Sequence, residues 1–107
     1  MLDFLTLPSR PNKPRQAGLT HVIDRGMGVH ALEDMLDSCA EFIDIVKLGW
    51  GTGYVTSNLE TKIAIYQAAG IPVCFGGTLL EAVIAQGQLD AFRRTLKRLN
   101  IHHVEFS

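Results

Sequence analysis

The 107-residue sequence predicts an α/β fold in which short parallel strands alternate with amphipathic helices. Four short apolar runs, rich in β-branched and aromatic residues, recur along the chain at residues 19–24, 42–48, 71–75 and 101–106. The segments between these runs carry apolar residues at helical spacing instead. Strands that are separated by helices pair in parallel through right-handed crossovers, so one parallel sheet is expected.

Four helices are predicted by apolar residues spaced three or four positions apart. Helix starts are indicated by capping boxes of the S/T-x-x-E type at 57–60 and 78–81. Helix ends are expected at Gly70, Gly87 and Asn100, because these residues tolerate a left-handed backbone. The apolar stripes consist of Leu32, Met35, Leu36, Cys39 and Ala40; of Leu59, Ile63 and Tyr66; of Leu80, Val83 and Ile84; and of Leu89, Phe92, Leu96 and Leu99.

Composition and charge exclude several classes of protein. The chain is 47% apolar and 20% charged, with a formal net charge of −1, so it has no general attraction for nucleic acid or anionic lipid. No apolar run approaches the roughly 20 residues that cross a bilayer. Two cysteines without CxxC spacing, and a start that does not resemble a secretory signal, predict reduced thiols and a cytoplasmic protein.

The chain is expected to have two parts. Residues 1–17 form an irregular, basic and proline-containing arm, and residues 18–107 form the folded unit. We expect the arm to be solvated but to pack Phe4 and Leu5 somewhere. A second interpretation is that its excess of basic residues binds phosphate or a partner.

Glycine-rich turns follow three of the predicted strands, at residues 24–28, 47–53 and 76–78. In parallel α/β folds ligands bind at the carboxyl ends of the strands, and glycine allows backbone amides to approach an anion there. Short turns between strands and helices also use glycine for structural reasons alone. Trp50, the single tryptophan, is either a wall of a substrate pocket or an anchor for its loop.

Alternation along the strands predicts one cluster of charged side chains. Asp24, Lys47 and Glu105 are expected to lie on the same face, at the ends of three strands. A lysine and two carboxylates can hold a divalent cation and neutralise an anionic substrate. The alternative is a structural ion network that closes the sheet. The common hydrolase, nucleotide-binding and metalloprotease motifs are absent from the sequence.

Four segments of the chain resemble the phosphosulfolactate synthase family, which also includes plant heat-stress-associated proteins. They read HVIDRG at 21–26, FIDIVKLGWGT at 42–52, GGTLLE at 76–81 and HVEFS at 103–107. The resemblance implies a TIM (β/α)8 barrel and a lyase that adds sulfite to phosphoenolpyruvate in a Mg²⁺-dependent reaction. The product would be (2R)-phospho-3-sulfolactate, an intermediate of coenzyme M biosynthesis.

The resemblance also implies roles for individual residues. Lys47, Asp24 and Glu105 become the expected catalytic residues, and the two acids also become the expected ligands of Mg²⁺. The general acid is either Lys47 or a residue on a strand that this chain lacks. The remaining candidates are expected to bind the anionic substrates, phosphoenolpyruvate and sulfite. These residues are Arg25, Gly51, Thr52, Gly76, Gly77 and Thr78.

A complete (β/α)8 barrel takes about 250 residues, so this chain is expected to be the first half of one, truncated after its fourth strand. The inner row of Ile43, Ile45, Val22 and Ile101 would then be exposed, and the open sheet edges would favour pairing with another copy. Such a chain is expected to be incomplete as an enzyme. Two other functions remain open: a non-catalytic stress-associated relative or remnant, and a Schiff-base aldolase that uses Lys47.

Overall fold

The computed structural model describes residues 3–106, which form one parallel sheet of four strands. The strands are β1 (His21–Asp24), β2 (Ile45–Leu48), β3 (Val73–Phe75) and β4 (His103–Val104), and they lie side by side in chain order. Successive units of a (β/α)8 barrel produce this order, whereas a doubly wound sheet reverses its strand order at a switch point. The prediction of an α/β fold that corresponds to part of a barrel is therefore confirmed.

Helices connect the strands as the periodicity predicted. Among the described residues they are α1 (Val29–Cys39), α2 (Thr52–Val55), α3 (Leu59–Ala68), α4 (Gly77–Ala85) and α5 (Leu89–Arg98), with a 3₁₀ turn at Ala40–Phe42. The one-turn helix α2 was not predicted. Gly70, Gly87 and Asn100 have φ angles of 75°, 65° and 57°, so all three predicted helix ends are confirmed. No helix within residues 3–106 has the length and apolarity needed to span a bilayer.

The predicted capping boxes are wrong. Helix α3 is capped by Asn58 and α4 by Gly76, and neither cap makes a side-chain hydrogen bond. Ser57 therefore lies before its helix, while Thr78 already lies inside the first turn of α4. The reason at α4 is that the chain leaves β3 through Gly76 in an extended conformation and enters the helix at once.

The two faces of the sheet differ in burial. One face, here called the closed face, carries Val46, Leu48, Val73 and Phe75, all at most 2% exposed, in a core shared with the helices. The Phe75 ring packs against the Phe92 ring of α5 at 5.8 Å between centroids. The other face, here called the open face, carries His21, Ile23, Ile45, Lys47, Cys74 and His103.

The open face does not carry the apolar row that the sequence predicted. Ile43 and Ile101 are buried in the core, and Val22 lies on the closed face. Of the predicted row, only Ile45 lies on the open face, and its neighbour on β1 is His21 rather than Val22. The strand register decides this, because a shift of one residue moves every side chain to the opposite face.

The basic arm is attached to the sheet by its charges. Arg15 forms an ion pair with Asp44 at 2.7 Å, and the Lys13 ammonium donates a hydrogen bond to the Ala40 carbonyl at 2.8 Å. The Thr20 amide donates to the other Asp44 oxygen at 2.7 Å. That hydrogen bond, with Arg15 in support, holds the pKa of Asp44 below its ordinary value although burial opposes the shift.

The apolar start of the arm does not pack as expected. Phe4 is 74% exposed and Leu5 is 54% exposed, so the prediction that these two side chains are packed is wrong. Arg10 binds the Gly18 carbonyl at 2.9 Å. The arm is therefore held by polar contacts at the amino-terminal ends of the strands, opposite the glycine-rich turns.

Candidate functional site

The glycine-rich turns meet at one edge of the sheet, here called the carboxyl rim. The Gly49 amide donates to the Asp24 carbonyl at 3.0 Å, and the Gly76 amide donates to the Leu48 carbonyl at 3.2 Å. Each bond joins the turn after one strand to the last residue of its neighbour. The prediction that these turns come together is confirmed, and it follows from the parallel direction of the strands.

Lys47 and Glu105 form an ion pair at the carboxyl rim. The Lys47 ammonium lies 2.6 Å from a Glu105 oxygen, and the two side chains are 17% and 36% exposed. Both project from the open face, where Cys74 is the neighbour of Lys47 on β3. Burial raises the pKa of the Cys74 thiol, and the charge of Glu105 adds to this while that of Lys47 opposes it. The predicted proximity of Lys47 and Glu105 is confirmed.

Asp24 does not join this pair. The register places Asp24 beside Leu48 and places Ile23 beside Lys47, so Asp24 lies on the closed face. The prediction that Asp24, Lys47 and Glu105 share one face is therefore wrong for Asp24. The strand boundaries were predicted well, but the alignment of β1 against β2 was shifted by one residue.

The Asp24 carboxylate is instead the centre of a buried network on the closed face. One oxygen accepts hydrogen bonds from the Gly26 and Met27 amides, each at 2.9 Å. The other oxygen accepts one from the Tyr66 hydroxyl at 2.7 Å and lies 3.0 Å from the Lys62 ammonium. Burial alone would raise the pKa of Asp24. The hydrogen bonds from the Gly26 amide, the Tyr66 hydroxyl and the remaining donors together lower it by more, so the pKa of Asp24 is below its ordinary value.

Tyr66 and Lys62 were not predicted to take part in any polar cluster. Tyr66 was assigned to the apolar stripe of its helix, where burial and the Asp24 charge raise its pKa. Lys62 was not singled out, although it completes the i, i+3, i+4, i+7 pattern of Leu59, Ile63 and Tyr66. A lysine inside a buried stripe requires an anionic partner, and this was the signal in the sequence that could have found the network.

Asp24 and Glu105 do not fit as joint ligands of one Mg²⁺ ion. They project from opposite faces of the sheet, and the four lone-pair positions of the Asp24 carboxylate are taken by four donors. Across residues 3–106, no three His, Cys, Asp or Glu side chains lie close enough together to hold a metal ion. The predicted ligand pair is thus not assembled by this chain.

Arg25 and Trp50 form a second feature of the carboxyl rim. The Arg25 guanidinium lies over the Trp50 ring, 4.7 Å from its centroid, in a cation–π arrangement. Trp50 has a positive φ of 51° and is 66% exposed, and it lines a cavity of about 520 Å³ with Gly51, Tyr54 and Thr78. Of the two interpretations of Trp50, this placement favours a pocket wall.

The backbone amides predicted to bind anions differ in their availability. The backbone amide of Thr52 donates to the Gly49 carbonyl, and that of Gly76 donates to the Leu48 carbonyl. Neither amide is therefore available to bind an anion. Gly77 and Thr78 lie in the first turn of α4, where helix amides lack carbonyl partners within the helix. The Thr52 hydroxyl is buried without a hydrogen-bond partner among the described residues. Of these candidates, the first turn of α4 therefore has the amides that are available to a ligand.

Comparison with known proteins identifies the family to which this chain belongs. The family model described as (2R)-phospho-3-sulfolactate synthase (ComA) matches residues 8–107. A phosphosulfolactate synthase of Bacillus subtilis is 38% identical over 108 aligned positions, which cover all of this chain and 43% of the relative. One from Methanocaldococcus jannaschii is 40% identical over 94 positions, covering 86% of this chain and 38% of the relative. The chain therefore belongs to the phosphosulfolactate synthase family and spans about two-fifths of the length of these curated relatives.

Proposed function

We propose that this chain supplies part of the active site of an enzyme that adds sulfite to phosphoenolpyruvate and forms (2R)-phospho-3-sulfolactate. Family membership and the Lys47–Glu105 pair at the carboxyl rim support the proposal. The pair is the observation that carries it. In barrel enzymes the reacting groups project from strand ends at this edge, and both members of the pair are accessible from the open face.

The chemistry requires stabilisation of negative charge. Attack of the sulfite sulfur on C3 of phosphoenolpyruvate forms a carbon–sulfur bond, and the electrons of the double bond move toward C2 and its carboxylate. The Lys47 ammonium offsets this developing charge, and Glu105 keeps the ammonium oriented. A proton delivered to C2, from Lys47 or from a group outside this chain, completes the addition.

Anion binding is assigned to other residues of the carboxyl rim. Arg25 offers a planar guanidinium whose face is covered by Trp50 and whose N–H groups can bind a phosphate, carboxylate or sulfite oxygen. The first-turn amides of α4, at Gly77 and Thr78, provide a second position for an anion.

The Mg²⁺ ion that the resemblance implies stays a prediction. When bound, a divalent cation would neutralise charge on the substrate carboxylate. Because Asp24 and Glu105 do not form a joint site, no ligand pair is assigned from this chain and no step depends on the ion.

A chimera tests the proposed function. Residues 1–107 replace the matching 43% of the Bacillus subtilis relative, and sulfite-dependent conversion of phosphoenolpyruvate is followed by phosphorus NMR, with the relative as the positive control. We expect turnover, and we expect Lys47→Met to lower kcat/KM by roughly 10²–10³-fold because one charge-stabilising donor is lost. Ile23→Val is the matched control on the open face. The proposal is contradicted if the chimera folds but shows no turnover. It is also contradicted if the kcat/KM of Lys47→Met equals that of Ile23→Val.

The Schiff-base alternative receives less support. A nucleophilic amine needs a free lone pair, whereas Lys47 is held in an ion pair at 2.6 Å. Borohydride reduction in the presence of a carbonyl substrate is expected to leave Lys47 unmodified. A trapped adduct on Lys47 would favour the aldolase.

A further inference from the structure

The buried network around Asp24 has no place in the proposed reaction. Lys62, Tyr66 and Asp24 are at most 1% exposed and lie between the end of β1 and helix α3. Substrate at the open face has no route to them, because they project from the opposite side of the sheet. Any action of the network on the site therefore passes through the atoms that Asp24 holds.

An ion pair this deeply buried is a poor device for stability alone. Removing both charges from water is costly, and apolar side chains of similar volume commonly stabilise a core as well or better. Such a pair can instead fix the orientation of a side chain. Lys62 and Tyr66 orient the Asp24 carboxylate through one of its oxygens. The second oxygen is then fixed as an acceptor for backbone amides.

Those amides belong to the turn that carries Arg25. The second Asp24 oxygen accepts hydrogen bonds from the amides of Gly26 and Met27, the two residues that follow Arg25. Gly26 has a φ of +118°, a conformation that L side chains rarely adopt and that an external acceptor helps to hold. Arg25 is exposed and, within the described residues, is in no ion pair; its observed contact is the Trp50 ring.

We infer that Lys62 and Tyr66 are positioning residues that act through Asp24 to hold the turn at 25–27 and thereby keep Arg25 stacked over Trp50 at the carboxyl rim. The inference deepens the proposed function, and it rests on that function only for the role of Arg25 in binding an anion. The stacking itself is a structural property that can be measured without any turnover.

Trp50 gives a direct readout, because it is the only tryptophan of the 107-residue chain. Quenching of its fluorescence by the neutral quencher acrylamide reports how much of the ring the guanidinium covers. Arg25→Ala sets the value for an uncovered ring. We expect Tyr66→Phe, which removes one hydroxyl and keeps the ring, to shift the quenching constant from the wild-type value toward that of Arg25→Ala, and Lys62→Met to shift it further.

Two comparisons separate positioning from a general loss of structure. Ile63→Val is the matched control, because Ile63 is buried on the same helix and is not among the four donors to Asp24. It is expected to leave the quenching constant at the wild-type value. In the double variant Arg25→Ala with Tyr66→Phe, no shift beyond that of Arg25→Ala alone is expected, since both changes remove the same stacking.

Circular dichroism first establishes that Tyr66→Phe is folded. The inference is overturned if the quenching constant of this variant equals that of Ile63→Val. It is also overturned if the shift caused by Tyr66→Phe adds fully to the shift caused by Arg25→Ala. Should Lys62→Met fail to fold, Tyr66→Phe decides alone. The result is distinguishable from a failure of the proposed function. A chimera without turnover leaves the fluorescence comparison unaffected, and unshifted fluorescence leaves the sulfite addition assay unaffected.

Discussion

The two faces of the sheet each carry one lysine–carboxylate pair of similar length and different surroundings. Lys62 and Asp24 lie 3.0 Å apart on the closed face, with side chains 1% and 0% exposed. Lys47 and Glu105 lie 2.6 Å apart on the open face, with side chains 17% and 36% exposed. The ion-pair chemistry is the same, and burial is what separates the two.

The difference indicates which pair is structural. The Asp24 carboxylate has a donor for each of its lone-pair positions, so it holds its neighbours and has no capacity for a ligand. The Lys47 ammonium has an observed bond to Glu105 and borders the open face, so other donors remain for an anion. A charged residue at a strand end is thus not by itself evidence of a catalytic role.

The largest effect is expected from breaking the buried pair. Lys62→Met leaves the Asp24 charge buried without its counter-ion, which costs about 3–5 kcal/mol in the free energy of unfolding. Urea unfolding of the variant and of Ile63→Val, for which the loss is about 0.5–1.5 kcal/mol, gives the comparison. A loss for Lys62→Met no larger than that of Ile63→Val would mean that the two pairs do not differ as described.

A smaller effect is expected from crowding each face with one methyl group. A Cβ on Gly53 would lie 2.6 Å from the buried Phe75 ring, and overpacking of a core costs about 1–3 kcal/mol. A Cβ on Gly49 would lie 2.8 Å from the γ2 methyl group of Ile23, whose side chain is 47% exposed and can shift toward solvent. Urea unfolding should therefore show a clearly larger loss for Gly53→Ala than for Gly49→Ala. Equal losses would show that the open face is as tightly packed as the closed one.

The Lys47–Glu105 ion pair on the open face should contribute little to the free energy of unfolding. Lys47→Met and Glu105→Gln are each expected to change the free energy of unfolding by about 0–1 kcal/mol, because partly exposed ion pairs are well solvated when they are broken. The same Lys47→Met substitution should abolish most turnover in the chimera. A loss of stability as large as that of Lys62→Met would assign Lys47 to the structural framework instead.

The smallest and most condition-dependent effect is expected at the arm. Because the pKa of Asp44 is lower in the folded chain than in the unfolded chain, where it is about 3.9, Asp44 stabilises the fold above that pH. This contribution is lost as the pH falls through the folded-state value. Asp44→Asn should therefore show a smaller drop in its urea midpoint than the wild type between neutral and acidic pH. An unchanged drop would mean that other carboxylates cause the acid sensitivity.

Much of the fold could be predicted from local patterns. The four apolar runs contain the four strands, and Gly70, Gly87 and Asn100 end helices in the left-handed conformation. These features depend on a few neighbouring residues, so they can be recognised without knowledge of the rest of the chain. The capping boxes failed at the same level, since Gly76 lets α4 begin directly after β3.

The candidate site could be predicted only in part. Lys47 and Glu105 were brought together correctly because β2 and β4 each end at the carboxyl rim with matching parity. Asp24 was assigned to the wrong face, and its partners Lys62 and Tyr66 were not identified as such. The local sequence of β1 does not determine which residue of β2 lies beside Asp24, because that depends on the register of the two strands.

The sequence by itself determined the order of the strands and of the four longer helices, the left-handed helix ends and the edge at which the glycine-rich turns gather. It did so because helical and strand periodicity and glycine conformation are short-range properties of the chain. Only the tertiary structure decided which face each charged side chain occupies, and hence that Asp24 pairs with Lys62 in the core while Lys47 pairs with Glu105 on the open face. The physical reason is that strand register is set by the packing of the whole sheet against its helices, and a change of one residue in that register exchanges the two faces.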